Sequence, residues 1–329
     1  MNRMRDLVKN ETIKMIKKKR FYVILLVLFV MVPIFSYAQM RIAQERMDKY
    51  GDDWRRQIQQ AITDNQNSLG SDRVPEEYKK YRKIYIQQMR YYLDNDVNPQ
   101  QSGGITFTKE FLNNAATLLI PLLIMGIGSD IVSSERSNGT IKMLLTRPIR
   151  RWKILLSKLI TLVMFVSLIV VATYIICYAV SGLFFGYGGF NLPVFTGFQL
   201  NGTEVDISNV HAVPQWQYLF MQAGLIWFIS VIVALLAFMV SVLVRSTAAS
   251  IVIMMATLIS GSILTNMASS WSSAKYLFMV NLGLTNFLSG SPAPIEGMTL
   301  PFSLAVLSVW GIASLFVSFL VFTKQDILN

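Results

Sequence analysis

Long apolar runs separated by short polar joints dominate the chain. Five of them reach the roughly 20 mostly apolar residues that a membrane-spanning helix needs: residues 111–131, 154–183, 216–244, 249–268 and 301–322. A sixth, 21–38, is slightly shorter and follows Lys17-Lys18-Lys19-Arg20, a basic anchor for the inner face of a membrane. No small-residue cleavage site follows it, so it reads as a retained span. The pattern predicts an all-α integral membrane protein with six transmembrane helices in the order of those runs. Pro33 and Pro121 fall inside spans and are expected to mark kinks. Segment 273–288 is apolar but only 16 residues long, and Asn281, Thr285 and Asn286 interrupt it. It reads as an interfacial or re-entrant helix within the outer loop 269–300; a seventh span there would reverse the side of the C-terminus.

The polar regions have patterns of their own. In 76–93, Tyr78, Tyr81, Ile84 (or Tyr85), Gln88 and Tyr92 recur every three to four residues, a helical stripe. Gly70, Pro75, Pro99 and Gly103-Gly104 punctuate this part of the chain. Residues 39–110 therefore predict an extracytoplasmic helical domain, a hairpin serving as gate, recognition surface or partner dock, or else a solvated linker. Residues 1–20 set Met4, Leu7, Val8, Ile13 and Ile16 among Lys and Arg, an amphipathic helix for the cytoplasmic interface. Anchoring the first span is its simplest role.

Charge fixes the expected orientation. Of the 30 Lys and Arg, eight lie in 1–20, seven in 132–158, one is Arg245 between the fourth and fifth spans, and one is Lys324 in the tail. With the N-terminus inside, all of these are cytoplasmic, as short basic loops require. The outer loops 184–215 and 269–300 hold only Lys275. The 12 basic residues of 39–110 are offset there by 11 acids, and a loop that long is translocated regardless of charge. The net charge of +11 is thus a signature of topology and of contact with anionic membrane lipids, not of nucleic acid.

Several chemistries are excluded. The single Cys177 forbids an internal disulfide, and the single His211 a His-rich metal site. The chain has no phosphate-cradling G-x-x-x-x-G-K-[ST], no G-x-S-x-G and no H-E-x-x-H, which argues against a membrane enzyme. The span centres carry no Asp, Glu, Lys, Arg or His, which weakens proton-coupled transport and voltage sensing. Asp130, at the inner end of the second span, reads as an interfacial residue in water or as a partner of the Arg cluster that follows. Ser157, Thr161, Ser167, Thr173, Ser230, Ser260, Ser262, Asn266, Ser303 and Ser308 are expected to stitch helices together. Cys177 reads as a packing residue.

The loop 132–153 is the most informative segment. Ser137 or Asn138 can cap a short helix, Ile141, Leu144 and Leu145 share one face, and Pro148 ends it. The basic residues Arg147, Arg150, Arg151 and Lys153 open the third span. Leu144 and Leu145 are apolar residues at the membrane edge, suited to a partner's groove. In Glu135, Gly139, Thr140, Leu144, Leu145, Pro148, Arg151, Leu155 and Lys158 the sequence resembles the type-2 ABC transporter permease family. The segment also sits between the second and third spans, where that family has it. The motif covers about 25 residues; the layout of six spans, interfacial N-terminal helix and outer apolar segment extends the resemblance along most of the chain. The 72-residue outer loop resembles a Gram-positive subgroup linked to antimicrobial-peptide resistance and export. The resemblance implies that 137–147 is a coupling helix docking on a separate ATPase. It further implies two ATPase chains carrying ATP and Mg, a second permease subunit, identical or not, and export of a lipid, peptide or antibiotic across the bacterial plasma membrane. No cofactor is expected on the chain itself. A sensor or mechanotransmission subunit acting on a cell-envelope partner is the other class of function that the outer domain suggests.

Overall fold

A computed structural model describes residues 4–51, 53–70, 76–99, 101, 103–140, 149–201, 204–267 and 271–324. Its helices are α1 (Met4–Lys17), α2 (Arg20–Tyr50), α3 (Trp54–Leu69), α4 (Glu76–Asp94), α5 (Gly104–Ala115), α6 (Leu119–Gly128), α7 (Ser133–Ser137), α8 (Arg151–Phe185), α9 (Gln215–Leu243), α10 (Thr247–Met267), α11 (Leu284–Leu288) and α12 (Leu300–Lys324). Among the described residues, α2, α8, α9, α10 and α12 are long and apolar enough to cross a membrane. The chain is a helical membrane protein. α9 is its centre: 72% of its apolar window is buried, against 22% in α2, α10 and α12. It packs against α12, α6, α8 and α10. The exposed faces of the outer helices, such as Leu26 and Phe29 on α2 or Ile312 and Phe316 on α12, are apolar, as a lipid-facing surface requires.

The run 111–131 is not one straight helix. α5 and the apolar stretch that begins with α6 meet at a 62° bend, with the break at residues 116–118. Pro121 is not the cause. The helix restarts at Leu119, which puts Pro121 in the first turn of α6, where its missing N–H costs nothing. Pro33, by contrast, lies inside the uninterrupted α2. Counting the bent pair as one, the helices able to span number six among the described residues. Close approach holds the pair to the bundle: a Cβ on Gly104 would lie 3.0 Å from the backbone of Gly182 on α8, and one on Gly128 would lie 2.7 Å from Ala237 Cβ on α9.

At 31 residues α2 is about 46 Å long, more than the roughly 30 Å hydrocarbon core, and it continues past the predicted end at 38 to carry α3 and α4 away from the apolar bundle. There α3 and α4 pack together around Ile58, Ile62, Ile86, Met89 and Tyr92, and Phe195 and Phe198 from the loop after α8 complete this small core. The tyrosine stripe is only partly internal: Ile84 and Tyr92 are buried, but Tyr78 and Tyr81 are exposed. The loop 184–215 contains the chain's departure from an all-helical pattern. β1 (Pro193–Thr196) pairs antiparallel with β4 (His211–Pro214), and β2 (Gln199–Asn201) with β3 (Glu204–Asp206). Segment 273–288 folds as 3-10 turns at Ser272–Tyr276 and Phe278–Asn281 followed by α11, too short to span.

The Ser and Thr of the spans mostly bond within their own helices. Ser157, Thr161 and Thr173 donate to carbonyls three or four residues back. Ser167 does both, donating to the Val163 carbonyl (2.9 Å) and accepting from Trp227 Nε1 at 2.8 Å across helices. Ser241, which the pattern did not single out, makes the more telling contact: its Oγ accepts from the backbone N–H of Val132 (3.0 Å) and of Ser133 (2.9 Å). Cys177 is fully buried in the packed core.

Candidate functional site

One end of the bundle gathers α1, the C-terminal end of α6, α7 and the first turns of α8. The turn from α1 to α2 passes through Lys19, whose φ of 58° lies in the left-handed region that side chains other than glycine rarely occupy. This folds α1 back against α8. Met15 and Glu11 are the buried residues of α1. A carboxylate buried there needs partners, and it finds them on both sides. Glu11 Oε1 accepts from Lys14 Nζ at 2.7 Å, and Oε2 from Lys158 Nζ at 2.7 Å. Glu135 completes the arrangement. Its Oε1 accepts from Lys14 Nζ at 2.9 Å, and its Oε2 lies 2.7 Å from Lys158 Nζ. Two acids and two lysines thus alternate around a closed ring. Lys158, with 1% of its surface exposed, is the largest fully buried side chain among the described residues.

A second set lies alongside. Asp130 is buried, not in water, and its partners precede the first span instead of following the second. Oδ2 accepts from Lys18 Nζ at 2.9 Å, and Oδ1 lies 3.1 Å from Arg20 Nη2. Lys18 also donates to Ser134 Oγ (2.6 Å) and Arg20 to the Gly126 carbonyl (3.1 Å). The N-terminal helix is therefore more than an anchor. With Lys18 and Arg20 just beyond it, its charges are the counter-ions of Asp130, Glu135 and Lys158, buried where the second apolar span ends and the third begins.

The residues of the sequence motif divide into three groups. Glu135 and Lys158, 23 positions apart in the chain, meet in the ring. Gly139 and Thr140 shape the turn beyond α7: Gly139 adopts φ 71°, which favours glycine, and Thr140 Oγ1 donates to the Glu135 carbonyl at 3.3 Å. Ser137 and Asn138 close α7, and the helix they were expected to cap lies largely outside the described residues. Arg151 starts α8 and reaches the Thr323 carbonyl at the end of α12 (3.4 Å); Leu155 is buried one turn further on. Ile141, Leu144, Leu145 and Pro148 lie outside the described residues, and so does most of the expected coupling helix 137–147. Glu11, Lys14 and Ser241 were not singled out in the sequence, and Lys18 and Arg20 were read only as part of a basic anchor. A usable signal existed for one of them, since Asp6 and Glu11 are the only acids among the eight basic residues of 1–20.

Glu11 and Lys14 keep their charges across the neutral range. Burial raises the Glu11 carboxyl, but the Lys158 ammonium and the hydrogen bonds from Lys14 and Lys158 outweigh it and hold the group below the ordinary range. Burial likewise lowers the Lys14 ammonium, yet the bond to Glu11 and the charge of Glu135 leave it raised. A depressed carboxyl stabilises the fold above its unfolded value and loses that contribution as pH falls. A raised lysine loses its contribution only as pH rises past its ordinary value. Attachment of α1 is thus expected to be flat between about pH 5 and about pH 10 and to weaken in acid. The emission of a dye attached at the exposed position 13 reads this; a transition between pH 6 and 8 would exclude the ring as the tie.

Among the described residues no cluster of His, Cys, Asp and Glu is suited to a metal ion. Two proteins of Bacillus subtilis (strain 168) are similar to the chain. The uncharacterized protein YhcI is 26% identical over 328 residues, 99% of this chain and 100% of YhcI. The uncharacterized membrane protein YdbK is 29% identical over 214 residues, 64% of this chain and 78% of YdbK. The similarity to YhcI runs the full length and so spans the segments that form α1, α3 and α4 as well as the long apolar helices. A family model, "Protein of unknown function (DUF2705)", matches residues 78–328, from α4 to the tail, and the chain belongs to that family.

Proposed function

We propose that the chain is the membrane subunit of an ATP-driven exporter of the type-2 ABC class. In this reading it crosses the bacterial plasma membrane six times, the bent pair counting once, with both termini inside. The observation that carries the proposal is the ring. It joins Glu135 and Lys158, the two ends of the permease-like motif, to a helix that precedes the first span. A force applied to the segment between them passes at once into α1, α7 and α8. An element that must move spans from outside the membrane needs such a rigid base. The basic segments 1–20 and 132–158 meet at this end, which the positive-inside rule assigns to the cytoplasm, where a separate ATPase holds ATP and Mg. Two ATPase chains and a second membrane subunit complete the assembly.

The test is Leu144→Asp with Leu145→Asp. Two charges on the apolar face of 137–147 are expected to abolish co-purification of a P-loop ATPase from native membranes while leaving the chain in the membrane. Retention of the ATPase with unchanged hydrolysis rules out docking through this face. A second reading, a sensor subunit, draws on the way the outer domain is tied to the loops: Phe195 N–H donates to Tyr92 Oη (3.2 Å), and Gln88 to the Ser289 and Gly290 carbonyls (3.3 and 2.9 Å). ATP-dependent transport in sealed vesicles separates the two.

A further inference from the structure

Toward the opposite end of the bundle, beside the helix break, lies a cavity of about 240 Å³. It is enclosed by α10, the 279–287 segment, residues 291–294, the start of α12 and Thr117 of the break itself. Irregular backbone within a span is tolerated where it faces a cavity, which gives the break at 116–118 a reason. Thr117, Thr265, Asn281, Asn286, Ser291 and Ser303 present hydroxyls and amides to it, and Leu258, Met279 and Phe287 present apolar wall in about equal measure. Among the described residues no ionisable side chain lines it. Two charges close by in the chain lie elsewhere: the exposed Glu296 lines the adjoining cavity, and Lys275 Nζ sits over the rings of Tyr276 and Phe302.

Two of the polar atoms in this wall lack a partner. Asn281 is 2% exposed, and its Nδ2 donates to the Lys275 and Leu277 carbonyls, both at 2.8 Å. The donor side of the amide is thereby committed, and Oδ1 is what Asn281 offers the cavity. Oδ1 has no hydrogen-bond partner among the described residues, and neither has the Oγ of the fully buried Ser303. Buried polar atoms are nearly always paired, so two orphans in one cavity mark where a ligand's polar groups belong. Ordinary small-molecule pockets begin near about 300 Å³, so this one takes a single ring. Thr265, Asn286 and residues 291–294 also line a cavity of about 740 Å³ beside α4, which gives the rest of a larger molecule room.

We infer that this cavity binds an uncharged, hydroxyl-rich ring: the sugar of a free saccharide or of a glycolipid head. An Oδ1 that can only accept needs an O–H donor. The hydroxyls of Thr117, Thr265, Ser291 and Ser303 both donate and accept, as a sugar's hydroxyls do. The C–H faces of the ring suit Leu258, Met279 and Phe287. A purely apolar ligand would leave both orphans unpaired, and an ion would enter without a counter-ion. Such binding is a property of this chain alone, whether or not it is part of an exporter.

Native mass spectrometry of the full chain in octaethylene glycol monododecyl ether, a detergent without a sugar head, tests the site. The probes are glucosyl diacylglycerol, the matching diacylglycerol, phosphatidylglycerol and glucose. The glucosyl lipid is expected to bind at least about tenfold tighter than the diacylglycerol and the phosphatidylglycerol. Ser303→Ala should weaken sugar binding about threefold to tenfold, the worth of one hydrogen bond. It should leave the thermal midpoint of the ligand-free chain unchanged, because the hydroxyl it removes has no partner among the described residues. A merely structural Ser303 would move the midpoint and not the binding. Ser303→Leu, which fills part of the cavity, should abolish binding of both sugars. Saturable binding of glucose that Ser303→Ala weakens assigns the site to free saccharide. A preference for the glucosyl lipid that glucose does not displace assigns it to a lipid-borne sugar. Three results overturn the inference: neither sugar probe outbinding the diacylglycerol, which leaves the cavity to water; phosphatidylglycerol binding as tightly as the glucosyl lipid; or sugar binding unchanged in Ser303→Ala.

Discussion

Replacing Lys158 with Met is expected to destabilise the protein by about 3–5 kcal/mol and to free α1 from the bundle. The loss comes from what remains. Without the Lys158 ammonium, Glu11 and Glu135 stay buried with Lys14 as their shared counter-ion, and that lysine is 35% exposed. A buried carboxylate left short of a partner is far costlier than an exposed ion pair is helpful. The Met side chain fills much of the volume, so a cavity is not the main effect. Thermal unfolding in detergent reads the stability change, and hydrogen exchange over residues 4–17 reads the release. The companion variant, Lys158→Met with Glu11→Gln, removes one charge of each sign and should recover a substantial part of the loss. If the single variant unfolds within 1 kcal/mol of the parent, apolar contacts such as that of Met15 hold α1 and the ring does not.

Ser241→Ala carries the second largest expected effect. Its Oγ is the acceptor for two backbone donors, Val132 N–H and Ser133 N–H, at the start of α7. A helix start leaves its first N–H groups without internal partners, and here a neighbouring helix supplies the cap. The site is fully buried, so water does not replace the hydroxyl. Each orphaned donor is expected to cost about 1–3 kcal/mol. Because α7 carries Glu135, exchange at residues 132–136 should rise, and release of α1 should follow as the ring loses its geometry. Ser241→Thr keeps the acceptor and should keep most of the protection. Equal exchange in Ser241→Ala and the parent would show that the contact contributes nothing to holding α7.

The apolar runs were legible because entry into a bilayer is nearly a property of each segment alone. Length and apolarity decide it, and both are printed in the sequence. The same holds for the short 273–288 segment. The break at 116–118 was not legible. Pro121 was the visible suspect, yet a proline in a helix's first turn disturbs nothing, and the bend lies before it. Nor does the stripe 78-81-85-88 announce that all four of its positions line a cavity, since helical periodicity marks a face without saying what covers it.

The charged end shows the same division more sharply. Composition alone put basic residues in 1–20 and 132–158 and an acid at each of 11, 130 and 135. Which cation meets which acid was not readable. The Glu11–Lys158 bond joins residues 147 positions apart, and the Lys18–Asp130 bond residues 112 apart. No local pattern encodes a contact between two segments whose meeting depends on a left-handed Lys19 and on the packing of α1 against α8. By itself, then, the sequence determined which segments leave water and which end of the bundle is basic. The tertiary structure alone decided how the buried charges are neutralised, because burying a charge is affordable only when a partner arrives from another helix.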